Sequence, residues 1–350
     1  MTSLDYFLRN DPIDQVAVER PYLQWLMEGK KSYPGAKQYV VEQIRDNYGS
    51  NFQWFNGSKT VTYNKRKTVK QVSFPWSSAH DGFALDEDRL AQNGINIIEG
   101  KTKTATSAEV IQLTDLLREQ NEVLRLGFEE KFSLNLQQDG TQDADAIVGL
   151  DLLIQSIQTD GTTITWATVG GINSATAGNE YWRNNSASAL DATVATGTLD
   201  LNLEKSWRAC VRNGGSPDHI EAGGDFVDAL RSYMLNKYGR VDYGPMQERK
   251  TEVGSGSGKN VDTGLYFHGV PIKWNPEFDN LSPRASETAW SKRCYFLNSK
   301  HFKQRPLTGH DMITRKPPRA YDKYEYYFGL TWRGSLTTNR RNAHAVNAIA

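Results

Sequence analysis

A single long helix is the sequence feature that most constrains the fold. Residues Thr106 to Glu109 have the spacing of a capping box, in which a hydroxyl and a carboxylate satisfy the first free amides of a helix. No proline or glycine pair interrupts the chain before Asp139 and Gly140. We predict a spine helix over residues 106–138, about 45 Å long at 1.5 Å per residue. The side chains expected on its packing face are Val110, Leu113, Leu117, Leu124, Phe128 and Phe132.

Length and charge limit the kinds of protein to consider. A chain of 350 residues can hold two packed cores. Its 41 basic residues balance its 41 acidic residues, which argues against nucleic acid as a tightly held ligand. Two cysteines, Cys210 and Cys294, are too few for a disulfide framework or a four-cysteine zinc site. No segment resembles a signal peptide or a membrane span, so we expect no membrane partner and a cytoplasmic place of assembly.

Before the spine, the pattern predicts a projecting β-hairpin. Segments 59–63 and 68–74 alternate polar and apolar residues, as strands do, around a basic connection at 64–67. An isolated hairpin is marginally stable, so this extended loop (49–80) is expected to dock on a neighbouring molecule. Residues 1–48, interrupted by prolines, are interpreted as an arm that needs another surface. The residues expected at the contact are Lys59, Lys65, Arg66, Lys67 and Lys70.

The rest of the chain predicts an α+β body. We expect a helix near 148–157, a strand at 162–167, and helices near 200–212 and 225–238 that end at glycines. Further strands are expected at 265–274, 294–297 and 324–332. The residues predicted to be buried on the later two helices are Leu203, Trp207, Cys210, Val211, Phe226, Leu230 and Tyr233. The glycines predicted to form adaptable loops are Gly170, Gly171, Gly178, Gly254, Gly256 and Gly258.

No arrangement of residues predicts catalysis, a cofactor or a metal. The GSGSGKN segment around Lys259 lacks the first glycine and the Ser or Thr of a phosphate-binding loop. The six histidines are scattered, which favours surface or hydrogen-bonded structural roles. Asp139, Asp143 and Asp145 lack the glycine and closing glutamate of a calcium loop, so a solvated turn is the better interpretation. Nine tryptophans spread along the chain favour packing and interface roles.

Several segments, in this order, resemble the major capsid proteins of tailed phages. KSYPGAKQYVVEQI and VKQVSFPWSSAHDGFALDEDRLAQN resemble the two sides of that family's extended loop. IVGLDLLIQ, VGGINSATAGNEYWRN, NGGSPDHIEAGGDFVDAL, GVPIKWNPEF and CYFLNSKHF resemble segments of its later domain. The resemblance implies an α+β capsid fold with an arm (1–48), an extended loop (49–80), a peripheral domain (81–146 and 306–350) and an axial domain (147–305).

The resemblance also implies a function and partners. Such a subunit would form pentamers and hexamers of an icosahedral phage head, the virion capsid, around double-stranded DNA as a non-specific neighbour. A scaffolding protein during assembly, a portal protein at one vertex and decoration or cement proteins are the implied partners. The short segment before the loop favours a separate scaffolding protein over a fused one. A cross-link between a loop lysine and a neighbour's asparagine stays open.

Two other functions stay open at this stage. One is a cellular shell protein of the same fold that encloses cargo enzymes, which the neighbouring genes would distinguish. The other is a carbohydrate-binding or hydrolytic protein that uses the tryptophans, which glycan binding by a monomer would reveal.

Overall fold

The computed structural model describes residues 16–35, 37–92, 107–156, 167–193, 197–212, 214–238, 262–284, 287–318 and 324–350. The helices are α1 (Pro21–Glu28), α2 (Glu87–Gln92), α3 (Ser107–Gln137), α4 (Leu150–Leu153), α5 (Leu199–Arg212), α6 (Gly224–Tyr238) and α7 (Pro276–Asn280). The first strands are β1 (Val40–Arg45), β2 (Val69–Phe74), β3 (Ser77–Asp86), β4 (Thr168–Val169), β5 (Ile172–Asn173), β6 (Asn185–Leu190) and β7 (His219–Ala222). The later strands are β8 (Asp262–Phe267), β9 (Val270–Trp274), β10 (Arg293–Leu297), β11 (Phe302–Pro306), β12 (Ile313–Arg315), β13 (Glu325–Thr338) and β14 (Ala345–Ile349).

The predicted spine helix is confirmed as α3, which runs for 31 residues. Phe128 and Phe132 are buried, and Leu117 and Leu124 are half-buried on the same face. The side chains of Val110 and Leu113 and the predicted capping box lie outside the described part of the chain. In the described part of the spine, the buried side chains therefore lie in its C-terminal half.

A four-stranded sheet lies against the spine. Strand β13 pairs with β11, β12 and β3, and its antiparallel register with β3 runs from Ser77 opposite Gly334 to Asp86 opposite Glu325. The Phe132 ring lies 4.7 Å from the Trp332 ring of β13. This aromatic contact joins the spine to the sheet in the first apolar core.

A six-stranded sheet, in the order β6-β14-β10-β7-β9-β8, separates this first core from a second one. Strand β10 shows the division, because Tyr295 faces the first core whereas Cys294 and Phe296 face the second. Helices α5 and α6 cover the second face. Their buried side chains include the predicted Leu203, Cys210, Phe226, Leu230 and Tyr233.

Two details of the predicted α5 face need revision. Val211 is 47 % exposed, so its predicted burial is wrong. It follows the buried Cys210 directly, and consecutive helical residues point about 100° apart. Trp207 was also predicted to be buried, but it is half-buried and stacks on His268 at 4.8 Å.

The predicted glycine cap at the end of α5 is confirmed at Gly214, which has a left-handed φ of +76°.

The helix predicted near 148–157 is shorter in the structure, where α4 covers only Leu150–Leu153. The side-chain amide of Asn184 accepts from the backbone N–H of Gln155 at 3.0 Å and donates to its carbonyl at 2.8 Å. Asn184 therefore occupies the backbone N–H and carbonyl of Gln155, which a longer helix would use for its own hydrogen bonds. The predicted strand at 162–167 lies almost wholly outside the described residues.

Gly149→Ala is expected to destabilise the protein by about 1–3 kcal/mol, as overpacking does. A Cβ atom at Gly149 would lie 2.0 Å from the carbonyl oxygen of Gln138 and 2.7 Å from that of Leu136, at the C-terminal end of the spine. These are backbone atoms and cannot rotate away. Gly127→Ala is the control, because nothing lies within 4 Å of its added Cβ. It should stabilise α3 by ~0.5–1 kcal/mol. Equal unfolding midpoints for the two variants in urea would contradict this prediction.

Candidate assembly surfaces

The extended loop differs from its prediction in which strands pair. β2 pairs in antiparallel fashion with β1, from Val40 opposite Phe74 to Arg45 opposite Val69. The predicted strand at 59–63 is wrong, since that segment is exposed and forms no strand. Val40 and Phe74 are buried in the first core. β2 therefore pairs with β1, whose apolar side chains pack into the first core. The alternation of polar and apolar residues at 59–63 is not enough to make that segment the partner strand.

Residues 46–68, called the distal loop from here on, project beyond this strand pair. The loop turns at Gly57 and Ser58, where Lys59 N–H donates to the Asn56 carbonyl at 3.0 Å, and not at the predicted basic tip 64–67. The predicted contact residues Lys59, Lys65, Arg66 and Lys67 lie on this loop and are exposed. The loop also exposes a set of aromatic side chains that the prediction did not include: Tyr48, Phe52, Trp54, Phe55 and Tyr63.

Lys70, predicted as a contact at the tip, lies at the base of the loop instead. Its ammonium is 2.9 Å from the Asp46 carboxylate and donates to the Tyr181 hydroxyl at 3.2 Å. The hydrogen bond from Lys70 lowers the pKa of Asp46, and the same bond raises the pKa of Lys70. The ion pair with Asp46 and the hydrogen bond to Tyr181 suit Lys70 to anchoring the base of the loop.

The predicted adaptable glycines at 170–171 lie in a tight turn. Gly170 adopts a left-handed φ of +61° between β4 and β5, and a Cβ there would lie 2.0 Å from Val72 Cγ1. The Gly170 carbonyl accepts from Ser73 N–H at 3.1 Å, which fixes the turn to β2. Gly178 lies in an exposed turn. Gly254, Gly256 and Gly258 lie outside the described residues.

Part of the predicted arm is packed within its own chain. In α1, Tyr22, Leu23 and Leu26 are buried in the first core. The Trp25 ring stacks on His219 at 4.8 Å. The expectation that the first 48 residues need another surface is therefore wrong for α1 and β1. Residues 1–15 lie outside the described part of the chain.

A buried charge network lies on the first-core side of the six-stranded sheet, and the sequence showed no sign of it. Arg293 on β10 lies 2.9 Å from Asp151 of α4 and 3.0 Å from Glu287. Arg284 contacts the same two carboxylates at 2.8 and 3.0 Å, and Asp139, after the spine, at 3.5 Å. Burial raises the pKa of Asp151 despite the opposing attraction of Arg293. Asp139 is thus buried in an ionic contact and is not the solvated residue that the sequence suggested.

Reactive groups in the described residues are buried or dispersed. Burial raises the pKa of the Cys210 thiol to about 12, so the thiol stays protonated near neutral pH. No group of three or more His, Cys, Asp or Glu residues in the described ranges could hold a metal ion. Among the described helices, none combines the length and the apolar character needed to cross a membrane.

The buried imidazole of His344 is expected to make the stability of the fold sensitive to acid. It is fully buried, its Nδ1 accepts from Asn298 N–H at 3.2 Å, and burial lowers its pKa to about 3. The unfolded chain takes up this proton near pH 6.5, so it binds more protons than the folded chain between pH 6.5 and 3. Stability should therefore fall as the pH falls through this window, by up to ~1.4 kcal/mol per unit.

The variant His344→Asn keeps an acceptor for Asn298 and removes the titration. It should lose less stability between pH 7 and pH 4 than the wild type, as measured by urea unfolding at each pH. His310→Asn, at a partly exposed position, is the control for removing an imidazole. An unchanged slope in His344→Asn would contradict the assignment.

Solved structures identify the fold. The capsid asymmetric unit of cyanophage A-1(L) matches with a TM-score of 0.61 and 16 % identity over 97 % of this chain and 96 % of that one. The capsid of Myoviridae phage XM1 matches with a TM-score of 0.57 and 12 % identity, over 97 % and 95 % of the two chains. The capsid of a native GTA particle matches with a TM-score of 0.53 and 10 % identity, over 97 % and 95 %. No protein-family model and no curated protein matches the chain.

These matches define the class of fold. The chain is an α+β protein with the fold of tailed-phage major capsid subunits, as its sequence segments implied. The match extends over nearly the whole length of both chains and therefore covers the strand pair of the loop, the spine and both cores.

Proposed function

We propose that this chain is the major capsid protein of a tailed phage and that its copies assemble into a closed icosahedral shell. The observation that carries the proposal is the shared fold over 97 % of this chain and 96 % of the cyanophage capsid subunit. A match of that extent corresponds to a whole shell subunit and not to one widespread motif.

The distal loop supplies the physical means of assembly. Five aromatic side chains are exposed there, and each can bury about 150–250 Å² in a contact, so together they offer on the order of 1,000 Å². That area suits a specific protein interface. We propose that these aromatic side chains bind a second copy of this chain, because the solved subunits that share the fold come from capsids.

Such a contact generates rings. The distal loop of one copy meets a different surface of the next copy, and a head-to-tail contact of this kind closes into a ring when the rotation allows it. Pentamers and hexamers are the rings that an icosahedral shell requires. Lys59, Lys65, Arg66 and Lys67 are proposed to add electrostatic attraction at the edge of each contact.

The proposed partners follow from this role. They are further copies of the chain, a scaffolding protein during assembly, a portal protein at one vertex, and decoration or cement proteins. Packaged double-stranded DNA is a non-specific neighbour, and the zero net charge suits a wall that encloses DNA without adhering to it. The proposed role is structural and not enzymatic, and assembly is placed in the host cytoplasm.

The test is expression of the chain alone and together with the genes that neighbour it, followed by electron microscopy. Closed particles with five-fold vertices are the expected result. A chain that stays monomeric under both conditions and at high protein concentration overturns the proposal. Nuclease-protected double-stranded DNA in the native particle separates a phage head from a shell around enzymes.

A further inference from the structure

Three polar side chains connect the two limbs of the distal loop. Asn51 Nδ2 donates to the Thr62 carbonyl at 2.5 Å, and Gln53 Nε2 donates to the Thr62 hydroxyl at 2.6 Å. Gln53 Nε2 also donates to Asn51 Oδ1 at 2.9 Å, which joins the two amides to each other. Asn51, Gln53 and Thr62 are called the Thr62 clasp below.

Apart from the clasp, the hydrogen bonds within this loop lie at its turn, where Lys59 Nζ also donates to the Trp54 carbonyl at 3.3 Å. The β1–β2 pairing ends at Arg45 opposite Val69, and no strand continues into the distal loop. Within residues 46–68, the one backbone–backbone hydrogen bond is that of the turn, from Lys59 to Asn56. The limbs are therefore held together by side chains at the clasp, where a β-hairpin would use a backbone ladder.

The clasp also determines which side chains face outward. In an extended limb, neighbouring side chains point to opposite sides. Asn51 and Gln53 point towards Thr62. Phe52 and Trp54 alternate with them along the limb and therefore point away from Thr62. Their rings meet edge to face at 5.1 Å. On the other limb Thr62 points inward and Tyr63 is 93 % exposed.

We propose that the Thr62 clasp pre-forms the aromatic docking surface in the unassembled subunit. The loop then binds a second copy of this chain without first having to become ordered. Ordering a segment during binding reduces affinity, and a surface ordered beforehand avoids that cost. Thr62 is thus a positioning residue for assembly. This inference rests on the proposed function, since it names how the loop of a shell subunit is prepared.

The experiment compares Thr62→Val with Thr60→Val. Thr60 is exposed on the same limb, two residues away, and its side chain makes no hydrogen bond, so it is a matched control. Unassembled subunits are treated with trypsin, which cleaves after lysine and arginine, and the loop carries four such sites. Thr62→Val should be cleaved there roughly three- to tenfold faster than Thr60→Val, as expected for the loss of one or two hydrogen bonds.

Assembly is measured on the same proteins by light scattering. Thr62→Val should need a several-fold higher protein concentration to form shells. Thr62→Ser keeps the hydroxyl and should form shells at the same concentration as the wild type. Gln53→Ala, with Asn64→Ala as its control, tests the clasp from the other limb. Thermal unfolding midpoints should stay unchanged, because all of these residues lie on the exposed loop.

The outcomes separate the two proposals. Equal cleavage of the two threonine variants would show that the clasp does not order the loop, and it overturns the proposal. Faster cleavage of Thr62→Val with unchanged assembly would show that loop order does not prepare the docking surface, and it overturns the proposal as well. If the wild-type chain forms no shells at all, the proposed function fails, and the assembly role of the clasp falls with it. The cleavage comparison still decides in that case whether the clasp orders the loop.

Discussion

Arg293→Met is expected to lower the free energy of unfolding by about 3–5 kcal/mol, the usual cost of removing one partner from a buried ion pair. Arg293 is fully buried. Its guanidinium donates to Asp151 and Glu287 and, through Nε, to the Thr288 carbonyl at 2.9 Å. It also lies over the Trp290 ring at 4.5 Å. Methionine keeps much of the packing volume and removes the charge, so the loss measures the network.

The mechanism of this loss can be checked with a second substitution. Without Arg293, the carboxylates of Asp151, Glu287 and Asp139 share a single arginine, Arg284. Adding Asp151→Asn removes one of those charges. The double variant should therefore be less destabilised than the sum of the two single variants, by at least about 1 kcal/mol.

Arg333→Met is the control for Arg293→Met, since Arg333 is an exposed arginine on β13. It should change stability by about 0.5 kcal/mol or less. Urea unfolding of the wild type and of these four variants provides the measurement. Equal losses for Arg293→Met and Arg333→Met would show that the buried network contributes nothing.

Trp54→Ala is expected to block assembly and leave the subunit folded. Trp54 is 83 % exposed, so its removal creates no cavity in the subunit. A central aromatic side chain commonly contributes about 2 kcal/mol or more to an interface, which corresponds to roughly a 30-fold change in affinity at each contact. The protein concentration needed for shells should rise by at least that factor, as measured by light scattering and electron microscopy.

Lys65→Ala separates the aromatic contribution of the loop from its basic contribution. An exposed charge contributes little and is screened by salt, so this variant should change assembly a few-fold at most, and mainly at low ionic strength. If Lys65→Ala impaired assembly more than Trp54→Ala, the basic residues and not the aromatic ones would dominate the contact. Unfolding midpoints within experimental error of the wild type are required of both variants.

The long helices were predictable because local information specifies them. The spine needs a capped start, apolar residues at helical spacing and no early breaker, and α3 begins and ends within one residue of the prediction. Helices α5 and α6 likewise agree with 200–212 and 225–238 to within a residue. The position of a projecting loop before the spine was also predicted, because two strand-like segments flank a basic connection there and an isolated hairpin is marginally stable.

The contacts that define the candidate site were not predictable in the same way. Alternation at 59–63 favours a strand, but strand pairing also needs a buried face, and β1 has one in Val40 and Ile44. Lys70 resembles the other loop lysines in sequence. Only the return of the chain at Tyr181 shows that it is an anchor at the base of the loop.

The sequence by itself therefore determined the spine, the two later helices, the order of the segments and the presence of a projecting loop. These depend on residues close together along the chain. The tertiary structure alone decided that β1 pairs with β2, that α1 packs into the first core, and that Arg293 joins Asp151 across 142 positions. Such contacts form between residues far apart in sequence, where apolar burial and charge pairing act only after the chain has folded.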